Sequence, residues 1–394
     1  MIPDTQPVLT PRSHAASTRG AGRLRVVIVT ESFLPAMNGV ARSVVSVVDE
    51  LRARGHEVTV IAPAPGPDRY GTTPVVRLPS LPLPWTPSFP LGVPTSRLRA
   101  TLRGLRPDVV HLASPALLGA RAASVCRELS LPTVAIYQTD LAGFAGEHGL
   151  GSTRGVLWRW LRTVHNECSL TLAPSRAAIA DLRTHGIDRL ARWGRGVDRH
   201  AFAPSHRTRP ATDRVDRVRI GYVGRLAQEK RLDRLHLLID LPGTEVVVVG
   251  DGDERAALQR LLPTATFTGE LRGPALSRAY ADLDVFVHTG VHETFCQAVQ
   301  EALASGVPVV APARGGPVDL VRHGRSGLLW DPHRPASLRD AVRRLVDDPK
   351  LRRRQGLAAR RDVADRTWSA LCDELLDHYR SVLPARAGTT STAA

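Results

Sequence analysis

The chain has 394 residues, 43% of them hydrophobic, and a formal net charge of +15. A chain of this length usually exceeds what one hydrophobic core organises, so two domains are expected. Its four cysteines include no C-x-x-C pair, which argues against a disulfide framework and against a structural zinc site. No apolar run reaches the ~20 residues that a membrane-spanning helix needs. These features favour a cytoplasmic protein.

The positive charge is concentrated in the N-terminal half, where residues 1–200 contain 24 arginines against 14 acidic residues. No basic run alternates with stacking aromatics, and no helix-turn-helix or RNA-binding sheet motif is present, so nucleic acid is not expected as a partner. The remaining explanations are a solvated arginine-rich surface and peripheral attachment to an anionic membrane surface.

A tryptophan-rich segment at residues 152–165 reads STRGVLWRWLRTVH and bears on the membrane explanation. Trp158 and Trp160 alternate there with arginines, which is the composition of a helix that lies in a membrane interface. At helical spacing, Trp160 also falls on one stripe with Leu157 and Val164, and that stripe would face a protein core. Both alternatives stay open at this point.

The first 22 residues mix small, polar and proline residues, so residues 1–22 are expected to be a disordered extension rather than a signal peptide. Residues 23–200 are predicted to form an N-terminal domain of short apolar strands and helix-length segments, the first helix running from about Val40 to Arg54. Its predicted strands are Leu24–Thr30, His56–Pro63, Pro107–Ala113, Pro132–Gln138 and Leu170–Ser175. Alternating strands and helices imply a parallel sheet.

A second series follows a predicted linker at residues 201–216. Residues 217–366 are predicted to form a C-terminal domain, residues 367–383 a helix that packs back on the N-terminal domain, and residues 384–394 a disordered tail. The strands predicted in the second domain are Val218–Gly224, Thr244–Gly250, Thr264–Gly269, Asp284–Thr289 and Val307–Pro312. The fold class is therefore α/β, with two Rossmann-like, doubly wound parallel-sheet domains facing a central cleft where ligands bind.

The loop after the first strand contains one glycine, Gly39, directly before the first helix. Backbone N–H groups at such a position favour an anion, although a glycine there also suits an ordinary turn. The loop lacks a G-x-G-x-x-G pattern, and the second strand ends in IAP without an acidic residue for a ribose. Both observations argue against a dehydrogenase that binds a dinucleotide.

Two basic residues follow the first strand of the second domain in the segment GRLAQEK, at residues 224–230. Arg225 and Lys230 are expected at the mouth of the cleft, where two cations suit a diphosphate. Lys230 and Lys350 are the only lysines among 53 basic residues, so an ammonium at position 230 indicates a chemical requirement. A solvated basic loop is the alternative.

Two glutamates, Glu293 and Glu301, lie eight residues apart in the segment HETFCQAVQEALASGVPVVAP. The helix of this segment is predicted to begin near Thr294 or Phe295, which leaves Glu293 in a loop and places Glu301 on the helix. The two carboxylates would then reach different parts of one ligand, and carboxylates accept hydrogen bonds from diols well. Their apolar neighbours argue against two ordinary surface glutamates.

Two Asp-x-Asp triplets, at residues 251–253 and 282–284, have the pattern of a metal site but are expected to be structural. The first follows a strand in a glycine turn, and the second precedes a buried strand. His288 and His292 lie near the glutamates, yet isolated histidines more often serve packing or capping. No metal ion and no cofactor is therefore expected.

Together these motifs resemble the GT-B glycosyltransferases of the group 1 family, which comprises retaining enzymes. The resemblance covers roughly residues 24–383. It is carried by GRLAQEK, by the two glutamates followed by ASGVPVVAP, and by RGVDRHAF at residues 195–202. The fold it implies is GT-B, and the substrate it implies is a nucleotide-diphosphate sugar.

The resemblance also implies roles for the residues that match the family's motifs. Arg225 and Lys230 would hold the donor diphosphate, Glu293 would contact the sugar, and Glu301 would bind the ribose. The first three of these are the expected catalytic residues. The other expected donor-binding positions are Gly39, Leu271 beside the base, and the backbone of Phe295, Cys296 and Gln297. Cys296 departs from the glycine that is usual in the family.

Within the family, YQTDLAGFA at residues 137–145 and RGVDRHAF look most like bacterial GDP-mannose-dependent α-mannosyltransferases that act on phosphatidylinositol mannosides or related glycolipids. The expected partners are GDP-mannose and a glycolipid or glycan acceptor. The expected acceptor-side residues are Asn38, Tyr137, Gln138, Thr139 and Asp140. Gln138 stands where a histidine is common, and a glutamine amide orients a group but does not titrate.

The expected mechanism is stabilisation of a departing nucleoside diphosphate by Arg225, Lys230 and a helix N-terminus in place of a metal ion. Three alternatives remain. A sugar-nucleotide epimerase of the same fold would need Glu293 to activate water, a different transferase would use a UDP-sugar and a soluble acceptor, and a lectin-like protein would only bind. The sequence also leaves the oligomeric state open.

Overall fold

The computed structural model describes residues 22–36, 38–83, 86–92, 96–113, 115–138, 140, 154–209 and 217–384. The two termini predicted to be disordered fall almost entirely outside these ranges, as do residues 210–216 of the predicted linker. Among the described residues, no helix is both long enough and apolar enough to cross a membrane.

The N-terminal half contains ten strands and five helices within the described ranges. In chain order they are β1 (Arg25–Val29), α1 (Gly39–Ala53), β2 (Glu57–Pro63), β3 (Arg69–Tyr70), β4 (Thr73–Leu78), β5 (Ser80–Leu83), β6 (Thr86–Gly92), α2 (Ser96–Leu105), β7 (Val109–Leu112), α3 (Leu117–Glu128), β8 (Thr133–Ile136), α4 (Arg154–Glu167), β9 (Leu170–Ala173), α5 (Arg176–Thr184) and β10 (Leu190–Arg192). Eight of these strands form one sheet in the order β10-β9-β8-β7-β1-β2-β4-β3, and β5 and β6 form a separate antiparallel pair.

The N-terminal sheet is parallel except for its edge strand β3, which pairs antiparallel with β4. Strand β1, RVVIV, is central because its residues after Arg25 are all buried and helices cover both faces of such a sheet. It pairs with β2 on one side and with β7 on the other, Val26 lying opposite both Val58 and Val109. Strands β1 and β7 are therefore neighbours, and the loops that follow them start side by side and then diverge.

The C-terminal half repeats this arrangement with six strands and seven α-helices among the described residues. They are β11 (Val218–Val223), β12 (Thr244–Val249), α6 (Arg255–Leu261), β13 (Thr266–Gly269), α7 (Gly273–Ala281), β14 (Val285–Val287), α8 (Gln297–Ala304), β15 (Val309–Pro312), α9 (Pro317–Leu320), β16 (Gly327–Trp330), α10 (Ala336–Asp347), α11 (Pro349–Asp362) and α12 (Trp368–Val382). Short 3₁₀ helices occur at Pro204–His206, Gln228–Lys230 and Leu232–Leu238. All six strands are parallel, in the order β13-β12-β11-β14-β15-β16.

Helix α12 returns to the N-terminal half and completes its core. Leu375 and Tyr379 are fully buried in the cluster that contains β1. The Tyr379 hydroxyl lies 2.7 Å from Nδ1 of His111 on β7, and Trp193 Nε1 donates a hydrogen bond to Leu371 O at 2.8 Å. The last helix of the chain is thus part of the first hydrophobic core.

The second Asp-x-Asp triplet attaches the chain between the two halves to the C-terminal sheet. Asp284 accepts hydrogen bonds from Arg207 Nη2 at 2.6 Å and from the backbone N–H of Arg219 at 2.9 Å. Asp282 accepts bonds from both the backbone N–H and the hydroxyl of Thr208, each at 2.7 Å. These two carboxylates therefore fix the position of the incoming chain.

The α/β fold class and all ten predicted strands are confirmed, and no strand end is shifted by more than two residues. The strands that were not predicted are β3, β10 and β16 at sheet edges, β4 beside β3, and the β5–β6 pair, all of which are short or interrupted by proline. The sequence analysis also placed the start of α8 too early. That helix begins at Gln297 because Cys296 takes a left-handed backbone conformation, with φ 79°, which ends the preceding loop.

Trp158 packs in the protein core rather than at the surface, and the membrane interpretation of the rest of the segment stays a prediction. Its side chain is 5% exposed, and its ring stacks on His185 at a centroid distance of 3.6 Å. Trp160 is partly buried against the same core regions. The alternation of tryptophan and arginine therefore divides α4 into an inner aromatic face and an outer face that carries Arg159 and Arg162.

Candidate active site

Loops that follow strands of the two sheets line a shared cleft. In the C-terminal sheet, β11 lies between β12 and β14, so the loops after β11 and β14 run to opposite sides and leave a crevice at the carboxyl ends of the strands. In the N-terminal sheet, β1 between β2 and β7 has the same geometry. Residues 224–230 follow β11, and residues 288–296 follow β14.

Lys230 and Glu293 form an ion pair across this crevice. Lys230 Nζ donates to Glu293 Oε1 at 2.6 Å, and the side chains are 24% and 16% exposed. Burial would raise the pKa of Glu293, but the Lys230 ammonium and His288 hold it well below its usual range. Burial would lower the pKa of Lys230, yet Glu293 raises it. Both groups are therefore charged at neutral pH, and solvent still reaches them.

His288 lies directly beneath this pair. Its ring is 2% exposed, and Nε2 lies 3.3 Å from Glu293 Oε1, outside hydrogen-bond geometry. Burial would lower the pKa of His288, but Cys296 and Glu293 raise it to about 9. The ring also stacks on Tyr222 of β11 at 6.3 Å between centroids. Glu293 is thus flanked by two cationic groups.

The loop that carries Glu293 is held from below by two glycines. Gly316 donates its backbone N–H to Glu293 O at 2.7 Å, and a side chain at Gly316 would come within 2.4 Å of Phe295 Cα. Gly315 has φ 69°, and a side chain there would lie 2.6 Å from Glu293 O. Only glycines permit this close approach, so residues 293–296 have a fixed position above α9.

Glu301 lies on α8, as the sequence analysis expected, and its contacts differ from those of Glu293. Its Oε2 accepts a hydrogen bond from the Tyr280 hydroxyl at 2.8 Å. Burial raises the pKa of Glu301 to about 7, against the lowering effect of Tyr280 and Arg42. Arg42 belongs to α1, so a residue of the N-terminal half also influences the pKa of Glu301.

The remaining C-terminal positions are packed or only partly open. Arg225 is 60% exposed and pairs with Glu229. Phe295 and Leu271 pack in the core of the C-terminal half, where Leu271 keeps some exposure. Gln297 donates a hydrogen bond to Gly196 O at 3.2 Å. The first backbone N–H groups of α8 have no acceptor within the helix, which is the ordinary state of a helix N-terminus and favours an anion.

Gly39 begins α1 and faces the C-terminal half. Its φ is not positive, so no turn requires a glycine here. A side chain would lie 3.4 Å from Arg195 Nη1, which is tight but not forbidden. Asn38 caps the helix, because its Oδ1 accepts from the N–H groups of Val40 and Ala41 at 3.0 Å. The sequence analysis placed Asn38 beside an acceptor, and its described contacts are those of a cap.

Arg195 and Gln138 link the two halves. Arg195 Nη2 donates to Gln138 Oε1 at 2.6 Å, and Gln138 Nε2 donates to Ala113 O at 2.5 Å. The backbone carbonyl of Gln138 accepts from the Thr294 hydroxyl at 2.8 Å, directly beside Glu293. Burial lowers the pKa of Arg195 to about 10, while Glu293 opposes this shift. Gln138 is therefore an oriented amide in a fixed position.

The other predicted acceptor-side residues are only partly described. Tyr137 is 3% exposed, and its hydroxyl lies 3.4 Å from Asp140 Oδ1. The other oxygen of Asp140 lies 4.0 Å from His292 Nδ1, across the cleft. Thr139 and residues 141–153 lie outside the described residues. Tyr137 is therefore a core residue with one polar atom at the cleft, and Asp140 is the more accessible group.

The sequence analysis missed three residues of this site. Arg195 stands in RGVDRHAF, a segment used only as a mark of resemblance, and a role for it would have required knowing that β10 ends at the cleft. His288 was assigned to packing, which its burial supports, but its contact with Glu293 depends on the loop after β14. Thr294 offered no signal, since its bond to Gln138 joins residues from different halves.

Comparison with known families divides the chain at the same place as the two sheets. Residues 37–201 match Glycosyltransferase Family 4, and residues 207–362 match Glycosyl transferases group 1. The segments that carry Gly39, Gln138 and Arg195 fall in the first match, and those that carry Lys230, Glu293 and Glu301 fall in the second.

Full-length relatives are also found. A GDP-mannose-dependent alpha-mannosyltransferase of Mycolicibacterium smegmatis is 52% identical, over 92% of this chain and 99% of the relative. One of Mycobacterium tuberculosis is 50% identical, over 94% and 99%. Among solved structures, a sucrose-phosphate synthase from Thermosynechococcus elongatus aligns with a TM-score of 0.74 at 20% identity, covering 91% of this chain and 99% of that one. HepE of Anabaena in complex with UDP gives 0.73 at 18%, covering 91% and 100%.

Proposed function

Because the chain belongs to the group 1 glycosyltransferases, we propose that it transfers mannose from GDP-mannose to a hydroxyl of a glycolipid or glycan acceptor, with retention of the anomeric configuration. The names of the two mycobacterial relatives support the choice of donor, because their sequences are 52% and 50% identical to this chain over nearly the whole length of each protein. The observation that carries the proposal is the Lys230–Glu293 ion pair at the carboxyl ends of β11 and β14.

The chemistry of the donor follows from the charges around that pair. Breaking the bond between sugar and diphosphate leaves negative charge on the nucleoside diphosphate, and Lys230, Arg225 and the N-terminus of α8 supply positive charge for it. A bound diphosphate would share the Lys230 ammonium with Glu293. Glu293 then accepts hydrogen bonds from sugar hydroxyls, while Glu301 receives the ribose hydroxyls. No metal ion is needed for this distribution of charge.

The acceptor side has a different task. Gln138 has both amide atoms engaged, so it can hold an acceptor loop in place but cannot remove a proton. In the retaining mechanism that we propose, the acceptor hydroxyl attacks from the face that the leaving phosphate occupies, and a phosphate oxygen takes its proton. Arg195, between Gly39 and Glu293, keeps the two halves in register for this step.

We also propose that the acceptor is presented at an anionic membrane surface, to which the protein attaches peripherally. Support comes from the exposed face of α4, which carries Arg154, Arg159 and Arg162, and from the arginine excess of residues 1–200. Each such charge contributes about 1 kcal/mol near an anionic surface, which is enough for reversible attachment by several arginines.

The test is transfer of labelled mannose from GDP-mannose to phosphatidylinositol-containing vesicles, to mannosylated glycolipids and to soluble glycans, with UDP-glucose as the control donor. We expect a mannosylated product whose anomeric coupling constant is that of the α-anomer, together with release of GDP. Conversion of GDP-mannose into another nucleotide sugar without any acceptor would instead identify an epimerase. Flotation with vesicles at low and high salt separates a lipid surface from a soluble acceptor.

A further inference from the structure

Three potential metal ligands of different chemistry meet at the Lys230–Glu293 ion pair. A carboxylate oxygen of Glu293, a ring nitrogen of His288 and the sulfur of Cys296 all lie within 4.8 Å of one another. Within the described part of the chain, no other group of three His, Cys, Asp or Glu residues comes together in this way. No metal ion was expected from the sequence, because the two Asp-x-Asp triplets were interpreted as structural and His288 as a packing or capping residue.

His288 gives the first independent indication that the cluster is a ligand site. Its ring is 2% exposed, and neither ring nitrogen has a hydrogen-bond partner among the described residues. A buried polar group without a hydrogen bond destabilises the folded protein. A metal ion bound to the nitrogen that faces Glu293 and Cys296 would remove that cost for one of the two atoms.

Cys296 gives the second indication. Its φ of 79° lies in the left-handed region, where a residue other than glycine is strained. The sequence resemblance leads one to expect a glycine at this position, and glycine would adopt this backbone without strain. The chain instead keeps a buried thiol there, 6% exposed and beside two other ligand atoms.

We propose that His288, Glu293 and Cys296 bind a thiophilic divalent cation, Zn²⁺ being the representative ion. Zinc accepts sulfur, nitrogen and oxygen ligands together, and its bond lengths place tetrahedral ligand atoms ~3.3–3.6 Å apart. His288 Nε2 and Glu293 Oε1 already lie 3.3 Å apart. The sulfur lies within 4.8 Å of both atoms, so each of its separations needs to shorten by at most about 1.5 Å to reach this range.

The charges of the proposed site also balance. Binding displaces the proton of the Cys296 thiol and that of the His288 imidazolium to solvent, so the ion meets one thiolate, one carboxylate and one neutral ring. The two negative charges neutralise the divalent ion. The net charge beside Lys230 is therefore unchanged. Lys230 must, however, share Glu293 Oε1 with the ion or lose this hydrogen-bond partner.

Occupancy would exclude the sugar nucleotide, a consequence that rests on the proposed function. The ion takes the carboxylate that is proposed to receive the sugar, and it takes the partner of the Lys230 ammonium. Metal and donor therefore compete for one place, and the ion acts as an inhibitor rather than as a cofactor. A hard cation such as Mg²⁺ gains nothing from a thiol and an imidazole, so it should not bind there.

The binding experiment uses Co²⁺ as a spectroscopic probe on the full chain without donor. We expect one equivalent to produce a near-ultraviolet charge-transfer band, which only a thiolate ligand gives, and Zn²⁺ to remove it by displacement. Cys296→Ala should abolish the band and weaken Zn²⁺ binding by roughly 100-fold or more, since even loss of an outer partner of a ligand costs up to that much. Cys372→Ala, a buried cysteine of α12, is the matched control and should retain the band.

Cys296→Gly provides a second variant, because it relieves the positive φ and should fold even where the alanine variant does not. Loss of the cobalt band in this variant supports the site. A band that survives in either Cys296 variant, or the absence of any band in the unchanged protein, overturns it.

A competition experiment tests the consequence separately. GDP-mannose should displace Co²⁺ and bleach the band, while Mg²⁺ should leave it unchanged. Simultaneous binding of both, with GDP-mannose bound to the metal-free protein, would overturn the exclusion. If GDP-mannose fails to bind the metal-free protein, the proposed donor is wrong, whereas the cobalt band and its dependence on Cys296 still decide the metal site.

Discussion

The two sides of the cleft are built in different ways. On the C-terminal side, the charged groups come from two short segments, residues 225–230 and 288–301, that follow neighbouring strands. On the N-terminal side, the polar groups come from scattered loops and bond to one another. Glu31 accepts from Gly119 N at 2.9 Å, and Gln138 bonds to Ala113 and Arg195.

The C-terminal side therefore supplies the charge of the site, and the N-terminal side holds its residues in fixed positions. The Lys230–Glu293 pair is charged and reached by solvent, so a ligand can take over its partners. Both amide atoms of Gln138 are already bonded to protein partners, so a ligand meets a preformed surface there. We therefore expect charge removal on the C-terminal side to have the largest effects.

Lys230→Ala should produce the largest loss. Removing one preorganised cation from a developing diphosphate charge costs about 3–4 kcal/mol, or roughly 10²–10³ in kcat/KM. The measurement is steady-state mannosyl transfer, with folding checked by thermal unfolding. Lys350→Ala is the matched control, because it removes the other lysine of the chain from the exposed surface of α11. Equal activity of both variants would show that the C-terminal side does not supply the charge.

Arg195→Gln should produce a smaller loss that arises from position. The substitution removes the hydrogen bond to Gln138 and the positive charge near Glu293, and a bond to a charged group contributes about 1.5–3 kcal/mol. We expect kcat to fall roughly 10- to 100-fold with little change in the affinity for free GDP. Arg189→Gln is the control, since Arg189 precedes β10 and lies at the amino ends of the strands. A change in GDP affinity as large as the change in kcat would assign Arg195 to the donor.

Glu301 should make donor binding depend on pH. Its pKa in the folded protein is raised to about 7, so the carboxyl is largely protonated at pH 6 and ionised at pH 8. Ribose hydroxyls donate hydrogen bonds to the ionised carboxylate of Glu301. Below pH 7, where this carboxyl is protonated in the free protein, binding of GDP must therefore release its proton. We expect the affinity for GDP to rise about tenfold from pH 6 to pH 8.

Calorimetric titration of GDP at several pH values measures this dependence, and Glu301→Gln serves as the control. The variant should bind weakly and keep only the slope that arises from the terminal phosphate of GDP, which itself titrates near pH ~6. A slope as steep as that of the unchanged protein would place the titrating group elsewhere.

The smallest effect should come from the exposed contact between the halves. Arg176 Nε lies 2.6 Å from Asp319 Oδ1, and the two side chains are 73% and 8% exposed, but Asp319 also accepts from the backbone N–H of Arg176, a bond that a side-chain substitution leaves in place. Such pairs contribute about 0–1 kcal/mol. We expect Arg176→Gln to change the free energy of unfolding by less than about 1 kcal/mol and KM by no more than about twofold. A large loss of activity would mean that this surface contact, rather than Arg195, aligns the halves.

The C-terminal side was the easier half to predict from sequence. Lys230 and Glu293 follow strands with clear apolar patterns, so their meeting at the carboxyl edge follows from the topology of a parallel sheet. The residue type of Cys296 gave no hint of its left-handed backbone, and the start of α8 was therefore misplaced.

The N-terminal side could not be predicted to the same depth. The bonds of Gln138 to Arg195 and Thr294 join residues 57 and 156 positions apart, and no local pattern encodes such contacts. Trp158 shows a second limit. An amphipathic sequence is the same for a helix that faces a membrane and for one that faces a core, and only the structure shows that Trp158 itself stacks on His185 inside the protein.

The central claim is that Lys230 binds the diphosphate and Glu293 the sugar. Calorimetric titration of GDP and GDP-mannose into the unchanged protein, Lys230→Ala and Glu293→Gln tests it most directly. The account predicts that Lys230→Ala weakens both ligands by roughly 100-fold or more, whereas Glu293→Gln weakens GDP-mannose alone. Unchanged affinity of Lys230→Ala for both ligands, or equal weakening of both by Glu293→Gln, would contradict it.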